Sequence, residues 1–230
     1  MRLITAADDE LYGLASAAGK LGRSDRLLAG LAAARRADPA DAEAAGRHAL
    51  ALMAVLPSLG TGGAAHVRFT GTIDAFGEVL SLEPDHWLAR YSRARLRTLI
   101  PSTYGAYSVD MSAGLGHARE DLDHLFAAQA GDVPQPYFVS THALAAVVEH
   151  LSGSSTALAP STRPDLFDAL AACPRVPVRL PALGAILCEP LATLYAAAQG
   201  TERDAIGEVM SALYGDQPAV AAVRRQPVRW

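Results

Sequence analysis

The fold is decided by two stretches that repeat one pattern, AARRADPADAEAAGRHALALMAVLP (33–57) and VLSLEPDHWLARYSRARLRTLIP (79–101). Each stretch has an apolar helix end, an acidic residue followed by proline, a short polar turn, and a helix that a second proline ends. A weaker third copy runs over residues 121–153. The turn prolines of the three copies, which lie 45 and 52 residues apart, are Pro39, Pro84 and Pro136. Repeated helix pairs are typical of a solenoid, in which stacked neighbours bury an apolar face that one pair could not bury alone.

The composition favours helices packed on helices. Half of the 230 residues are hydrophobic, yet only 6% are aromatic, so the apolar content is mostly alanine, leucine and valine. Alanine and leucine are among the strongest helix formers, and small side chains let helices approach closely. The sequence therefore predicts an all-α chain and disfavours a β-sandwich.

Proline, glycine and capping residues predict where the helices begin and end. Before residue 101 the predicted helices cover 11–21, 24–37, 41–56, 70–82 and 86–100, with a loop over 57–69. A helix over 113–130 follows. After residue 164 the predicted helices cover 166–172, 183–198 and 202–214. Pro190 lies inside the second of these, and we expect it to kink that helix or to mark a boundary.

The segment TIDAFGEVLSLEP (72–84) resembles the second helix of a tetratricopeptide repeat. Four residues lie at the family's offsets: Phe76, Val79, Leu80 and Pro84. The next helix supplies the bulky and small residues that the family has there, Trp87, Tyr91 and Ala94. The resemblance covers roughly residues 24–151. It departs from the family at Thr72, which replaces a small alanine, and in repeats longer than ~34 residues, because two Gly-rich loops are inserted. The resemblance implies an α-solenoid of antiparallel helix pairs, with a concave groove that binds a protein or peptide.

The chain is expected to have three parts. Residues 1–151 would form the tetratricopeptide-like repeats, and residues 152–164, which are rich in serine and proline, would form a linker. Residues 165–230 would form a C-terminal helical cap, since the terminal repeats of a solenoid need a distinct outer face. The last residues, AVRRQPVRW (222–230), are expected to be a flexible tail whose role is open.

The helix over 86–100 is the predicted partner-binding element. Its arginines, at positions i, i+3 and i+7, are Arg90, Arg93 and Arg97. They lie beside a face that carries Trp87 and Tyr91, whose rings would be buried against the partner. Guanidinium groups bind carboxylates bidentately, so the arginines would hold an acidic peptide or molecule. Alternatively, the arginines form a solvated stripe or pair with Asp74 and Glu78 on the preceding helix.

Two tyrosines follow this helix in a Gly/Ser-rich loop over 101–116. Tyr104 and Tyr107 would extend the partner-binding surface or line a pocket beside it. The alternative is that both rings fold back over the core.

One cluster of metal-ligating residue types lies in the helix predicted over 113–130. His117, Asp121 and His124 stand at i, i+4 and i+7, a spacing that projects two imidazoles and a carboxylate from one helical face. The apolar residues of the same helix point about 130° away from them. We therefore expect a solvated face there, and neither a metal nor another cofactor.

Catalysis has weaker support in the sequence than binding. The patterns HExxH and GxSxG are absent from the sequence. Cys173 and Cys188 are expected to be reduced, buried thiols. His142 and Glu149, at i and i+7, are a second set of residues on which an enzyme could depend, but no nucleophile matches them.

Charge and hydropathy exclude two classes of partner. The net charge is −4, whereas nucleic-acid binders usually carry a basic excess. Lys20 is the only lysine among 20 basic residues, a bias typical of a GC-rich bacterial genome. No apolar run suits a signal peptide or a membrane span, so we expect a cytoplasmic protein without a nucleic-acid or membrane partner.

These observations together predict a non-catalytic scaffold or adaptor that binds a protein or peptide partner, with an acidic partner as one option. Self-association into a homo-oligomer is left open. Two alternatives belong to other classes. One is a ligand-sensing regulatory domain that holds a small acidic molecule between helices. The other is a metal-dependent enzyme that uses the His/Asp face of the helix over 113–130.

Overall fold

The computed structural model describes residues 1–60, 62–99, 111–153 and 164–215, with residues 111, 112 and 164 described by their backbone alone. This part of the chain contains ten α-helices and no β-strand, which confirms the predicted all-α class. The helices are α1 (Ala6–Lys20), α2 (Ser24–Ala37), α3 (Ala42–Val55), α4 (Gly63–Leu82), α5 (Trp87–Thr98), α6 (Met111–Ala130), α7 (Val139–Leu151), α8 (Pro164–Ala172), α9 (Gly184–Ala197) and α10 (Gly200–Tyr214). Two short 3-10 turns cover Leu56–Ser58 and Pro136–Phe138. None of the described helices is both long enough and apolar enough to cross a membrane.

The predicted helix ends agree with the observed ones to within two residues, except at the starts of α1 and α4. Helix α1 begins earlier because Thr5 and Asp8 form a capping box. The Thr5 hydroxyl accepts from the Asp8 N–H, and the Asp8 carboxylate accepts from the Thr5 N–H at 2.8 Å. Helix α4 begins inside the predicted loop because Ala65 and Phe69, at i and i+4, are both buried. Their packing outweighs the low helix propensity of the glycines before them.

The described residues divide into two compact units. The first holds residues 1–60 and 62–96, and the second holds 97–99, 111–153 and 164–215. This division differs from the one expected from the sequence, which separated residues up to 151 from residues after 164. The physical reason is that α7 packs against α8 and α9, so the helices on both sides of the expected linker share one core.

Helix α3 is the central element of the first unit, where it packs against α1, α2 and α4. Its residues 49–55 are all buried, as expected of a helix that is apolar on every side. The core that they form with the neighbouring helices includes Ala15, Leu28, Ala51, Leu52 and Val55. Helix α1 also contacts α2, so the first three helices all contact one another, and α4 packs on α3. The arrangement of helix pairs as a solenoid stays a prediction.

Helix α7 has the same central place in the second unit. It packs against α6, α8 and α9, and α10 covers α9 and contacts α8. Nine of its residues are buried, from Val139 to Val148 with one interruption at His142. Helix α9 continues through Pro190, so this proline does not mark a boundary.

Arg2 ties the chain start to the turn between α4 and α5. Its N–H donates to the Asp85 carbonyl at 3.0 Å, and its own carbonyl accepts from the Trp87 N–H at 3.0 Å. The guanidinium donates to His86 Nε2 at 2.7 Å and to Glu43 Oε2 at 2.5 Å. A guanidinium has no acceptor atom, so His86 must accept through a neutral Nε2. Burial, and then the Arg2 charge, lower the pKa of His86 to about 4.

This lowered pKa predicts how stability depends on pH. The unfolded chain binds a proton at His86 below a pKa of about 6.5, whereas the folded chain binds it only below about 4. The free energy of unfolding therefore falls as the pH drops through this window, by about 2–3 kcal/mol between about pH 7 and about pH 4.5. Burial lowers the pKa of His48 in the same direction. Urea denaturation followed by circular dichroism at several pH values measures the loss.

The variant His86→Gln isolates the contribution of His86, since Gln does not titrate. We expect this variant to lose less of its free energy of unfolding than the wild type does as the pH falls from about 6.5 to about 4, the pKa values of His86 in the unfolded and folded chain. The exposed His117, which lies outside this hydrogen-bond network, provides the control: His117→Gln should keep the loss of stability assigned to His86. Equal pH dependence in all three proteins would contradict the assignment.

Candidate functional site

The aromatic residues of the predicted partner-binding element lie in the interior. Trp87 and Tyr91 stack on each other, with ring centroids 4.8 Å apart and planes inclined by 12°. Both residues are 0% exposed. The expectation that they line an open groove is therefore corrected: at i and i+4 they share the apolar face of α5 with Leu88 and Ala94, which are also buried.

The arginines of α5 are engaged within the chain. Arg90 Nε donates to the Pro84 carbonyl at 2.7 Å, and Arg97 Nη1 donates to Asp121 Oδ2 at 3.0 Å. Arg93 has its guanidinium close to Gly77 on α4, where an added Cβ would lie 3.6 Å from Nη1. Glu78, one of the acidic residues considered as their partner, pairs instead with Arg35 at 3.1 Å. Arg97 is thus already paired with a carboxylate of its own chain, and its role in holding a partner's carboxylate stays a prediction.

The three residues considered as metal ligands, His117, Asp121 and His124, lie in different surroundings on α6. The side chain of Asp121 is only 1% exposed and is bound to Arg97, whereas His117 is largely exposed and pairs with Glu120 at 3.0 Å. Asp121 departs from the expected solvated face because it lies in the buried stripe of α6 that also holds Ala118 and Leu125, three residues before it and four after it. Among the described residues, no group of three His, Cys, Asp or Glu could hold a metal ion.

The other predicted contacts, Tyr104 and Tyr107, lie outside the described residues. The tail over 222–230 lies outside them as well.

A cleft within the second unit is the site that the sequence did not predict. Its volume is about 520 Å³, and it opens between α6, the 3-10 turn Pro136–Phe138, the first turn of α7, and α8. Its apolar lining includes Phe126, Phe138, Val139, Ala169, Ala172 and Pro174. Small-molecule sites typically have volumes of ~300–1,000 Å³ and a mainly apolar lining, and this cleft matches both features.

Few polar groups line the cleft. Gln129 Nε2 donates to Thr141 Oγ1 at 2.8 Å, which fixes its amide against α7. His142 Nδ1 lies 3.9 Å from Asp165 Oδ2, and the His142 ring is tilted against Phe126 with centroids 4.7 Å apart. Among the lining residues, all of which the structure describes, Asp165 alone carries a formal charge when histidine is counted as neutral.

The Cys173 side chain also lines the cleft, but it is not an activated nucleophile. Its Sγ donates to the Pro136 carbonyl at 3.4 Å. Burial raises the pKa of the thiol above its usual value, with Arg175 opposing this shift. A protonated thiol is a poor nucleophile, so Cys173 serves as an apolar part of the wall. Neither cysteine forms a disulfide within the described part of the chain, and both are buried, as predicted.

The cleft could not be read from one stretch of sequence because its walls are far apart in the chain. Residues 126–142 supply one side, and residues 165–174 supply the other. A signal was nevertheless present in PQPYFVSTH (134–142), where two aromatic residues and a histidine follow a proline-rich turn. Such a turn leaves apolar side chains beside a gap that another element must border.

Comparisons with protein-family models, with curated proteins and with solved structures find no match to this chain. The resemblance to tetratricopeptide repeats therefore stays a prediction from residues 24–151, and the functional argument rests on the geometry of the cleft.

The pair Arg97–Asp121 generates a stability prediction. Replacing Arg97 by alanine removes the cation that faces a buried carboxylate, so we expect Arg97→Ala to lower the free energy of unfolding by about 2–4 kcal/mol. Urea denaturation followed by circular dichroism measures the change.

The exposed Arg119 on α6 is the matched control, and Arg119→Ala should change stability by no more than about 0.5 kcal/mol. Combining Arg97→Met with Asp121→Leu removes both charges and should recover most of the loss. If Arg97→Ala is as stable as Arg119→Ala, the pair has no structural role.

Proposed function

We propose that this is a non-catalytic binding protein whose second unit takes up the apolar part of a small molecule. The observation that carries the proposal is the cleft of about 520 Å³ between α6, α7 and α8. A ligand placed there would cover the apolar side chains of Phe126, Val139 and Ala169. Covering apolar surface contributes roughly 25 cal/mol for each Å² removed from water, which is enough to hold a ligand of modest size.

The polar groups around the cleft support binding better than catalysis. The Gln129 amide is bound to Thr141, and the Cys173 thiol has a raised pKa. A nucleophile needs a lowered pKa or a base within hydrogen-bond distance. The walls of the cleft are mostly apolar, as in sites that hold a ligand by burying it, with a small number of polar groups to orient it.

The functions expected from the sequence have less support from this geometry. Peptide binding in a groove along α5 would use Trp87 and Tyr91, which are buried, and Arg97, which is paired with Asp121. A small acidic ligand would face a cleft whose described lining residues include no arginine or lysine. Peptide binding by the first unit stays a prediction, supported by the packing of α3 against the helices on either side of it in the chain.

Filling the cleft tests the proposal. Ala169 on α8 lines it, and Ala169→Phe would occupy part of its volume. We expect the wild type to bind the neutral apolar dye Nile red with enhanced fluorescence, and Ala169→Phe to bind it at least about tenfold more weakly, a change of roughly 1.4 kcal/mol.

The matched control is Ala171→Phe, because Ala171 lies on the same helix but is exposed and outside the lining. This variant should bind the dye as the wild type does, and circular dichroism should show the same helical content in all three proteins. Equal binding by Ala169→Phe and Ala171→Phe would show that the dye binds elsewhere, and the proposal would fail.

A further inference from the structure

We propose that the ligand of the cleft is an apolar primary amine, bound as its ammonium cation to the Asp165 carboxylate. This inference rests on the proposed function, because it names the chemical class of the molecule that the cleft takes up. The observation behind it is the charge of the lining: among the lining residues that the structure describes, one carboxylate lies beside aromatic rings, and none is an arginine or lysine.

The charge of the lining selects against anions. A carboxylate or phosphate ligand would lose water on entering a mostly apolar cleft, and none of the described residues that line it is an arginine or lysine that could replace that water. It would also be repelled by Asp165. A neutral ligand gains the apolar contacts alone, whereas a cation gains those contacts and the attraction of the carboxylate.

Asp165 is placed where it can bind the head of such a ligand. It lies in the first turn of α8, and its side chain is 48% exposed. Its Oδ2 lies 3.9 Å from His142 Nδ1. A carboxylate has about four acceptor sites, so an ammonium group adds to the contacts that Asp165 already makes and does not displace them.

The neighbouring rings complete the site. His142 lies against Phe126 with ring centroids 4.7 Å apart, so the carboxylate is adjacent to the apolar wall that would hold the ligand body. The faces of Phe126 and Phe138 attract cations weakly, which adds to the preference for an ammonium head. An apolar body joined directly to one primary amine therefore matches both parts of the cleft.

Three probes that share one apolar body test the inference: phenethylamine, phenethyl alcohol and hydrocinnamate. Isothermal titration calorimetry at low salt measures their dissociation constants. A charge-assisted hydrogen bond to a half-exposed carboxylate predicts that the amine binds about 5–10-fold more tightly than the alcohol. Hydrocinnamate should bind more weakly than the alcohol.

The variant Asp165→Asn keeps the shape of the side chain and removes its charge. We expect it to reduce amine binding to the level of the alcohol and to leave alcohol binding unchanged. Asp168→Asn is the matched control, since Asp168 lies on the same helix, is exposed and does not line the cleft. It should keep the preference for the amine.

The outcomes separate this inference from the proposed function. If all three probes bind equally, or the carboxylate binds most tightly, or Asp165→Asn keeps the amine preference, the inference is overturned while uptake by the cleft stands. If no probe binds and Ala169→Phe leaves dye binding unchanged, the proposed function fails, and the inference fails with it.

Discussion

The rest of the structure depends on the need to bury two helices that are apolar on nearly every side. Residues 49–55 of α3 and nine residues of α7 are buried, and a helix of this kind is stable in water only when other helices enclose it. Helices α1, α2 and α4 enclose the first, and α6, α8 and α9 enclose the second. Each unit is therefore built around its own central helix, and the buried carboxylate of Asp121 in the second unit is paired with Arg97.

The cleft follows from the way in which α7 is enclosed. At the amino-terminal end of this helix, the last turns of α6 and the 3-10 turn Pro136–Phe138 meet α8, and space is left between them. The apolar side chains that would otherwise complete a core border that space. Because this space is bordered by side chains that would otherwise be part of a core, its walls are apolar. If the cleft binds a ligand as we propose, the few polar groups at its border would set its selectivity, and Asp165 is the charged one among the described lining residues.

Much of the helical organisation could be predicted from the sequence, because proline, glycine and apolar spacing act locally. The start of α4 could not be predicted, since Ala65 and Phe69 extend that helix through tertiary packing. Side-chain roles were harder to predict for a related reason. Helical spacing assigns Arg97 and Asp121 each to a face of its own helix, but only the structure shows that their side chains form a hydrogen bond. The cleft joins residues 126–142 to residues 165–174, a juxtaposition that no local pattern encodes.

We propose above that the second unit holds an apolar ligand with a cationic head in the cleft beside α7. Amide chemical-shift mapping by nuclear magnetic resonance during titration with phenethylamine tests it most directly. We expect the saturable shifts to cluster at Phe126, Val139 and Ala169, and the amides of α1 to α4 to stay unchanged. Shifts confined to α1 to α4, or no saturable shift anywhere, would contradict the claim.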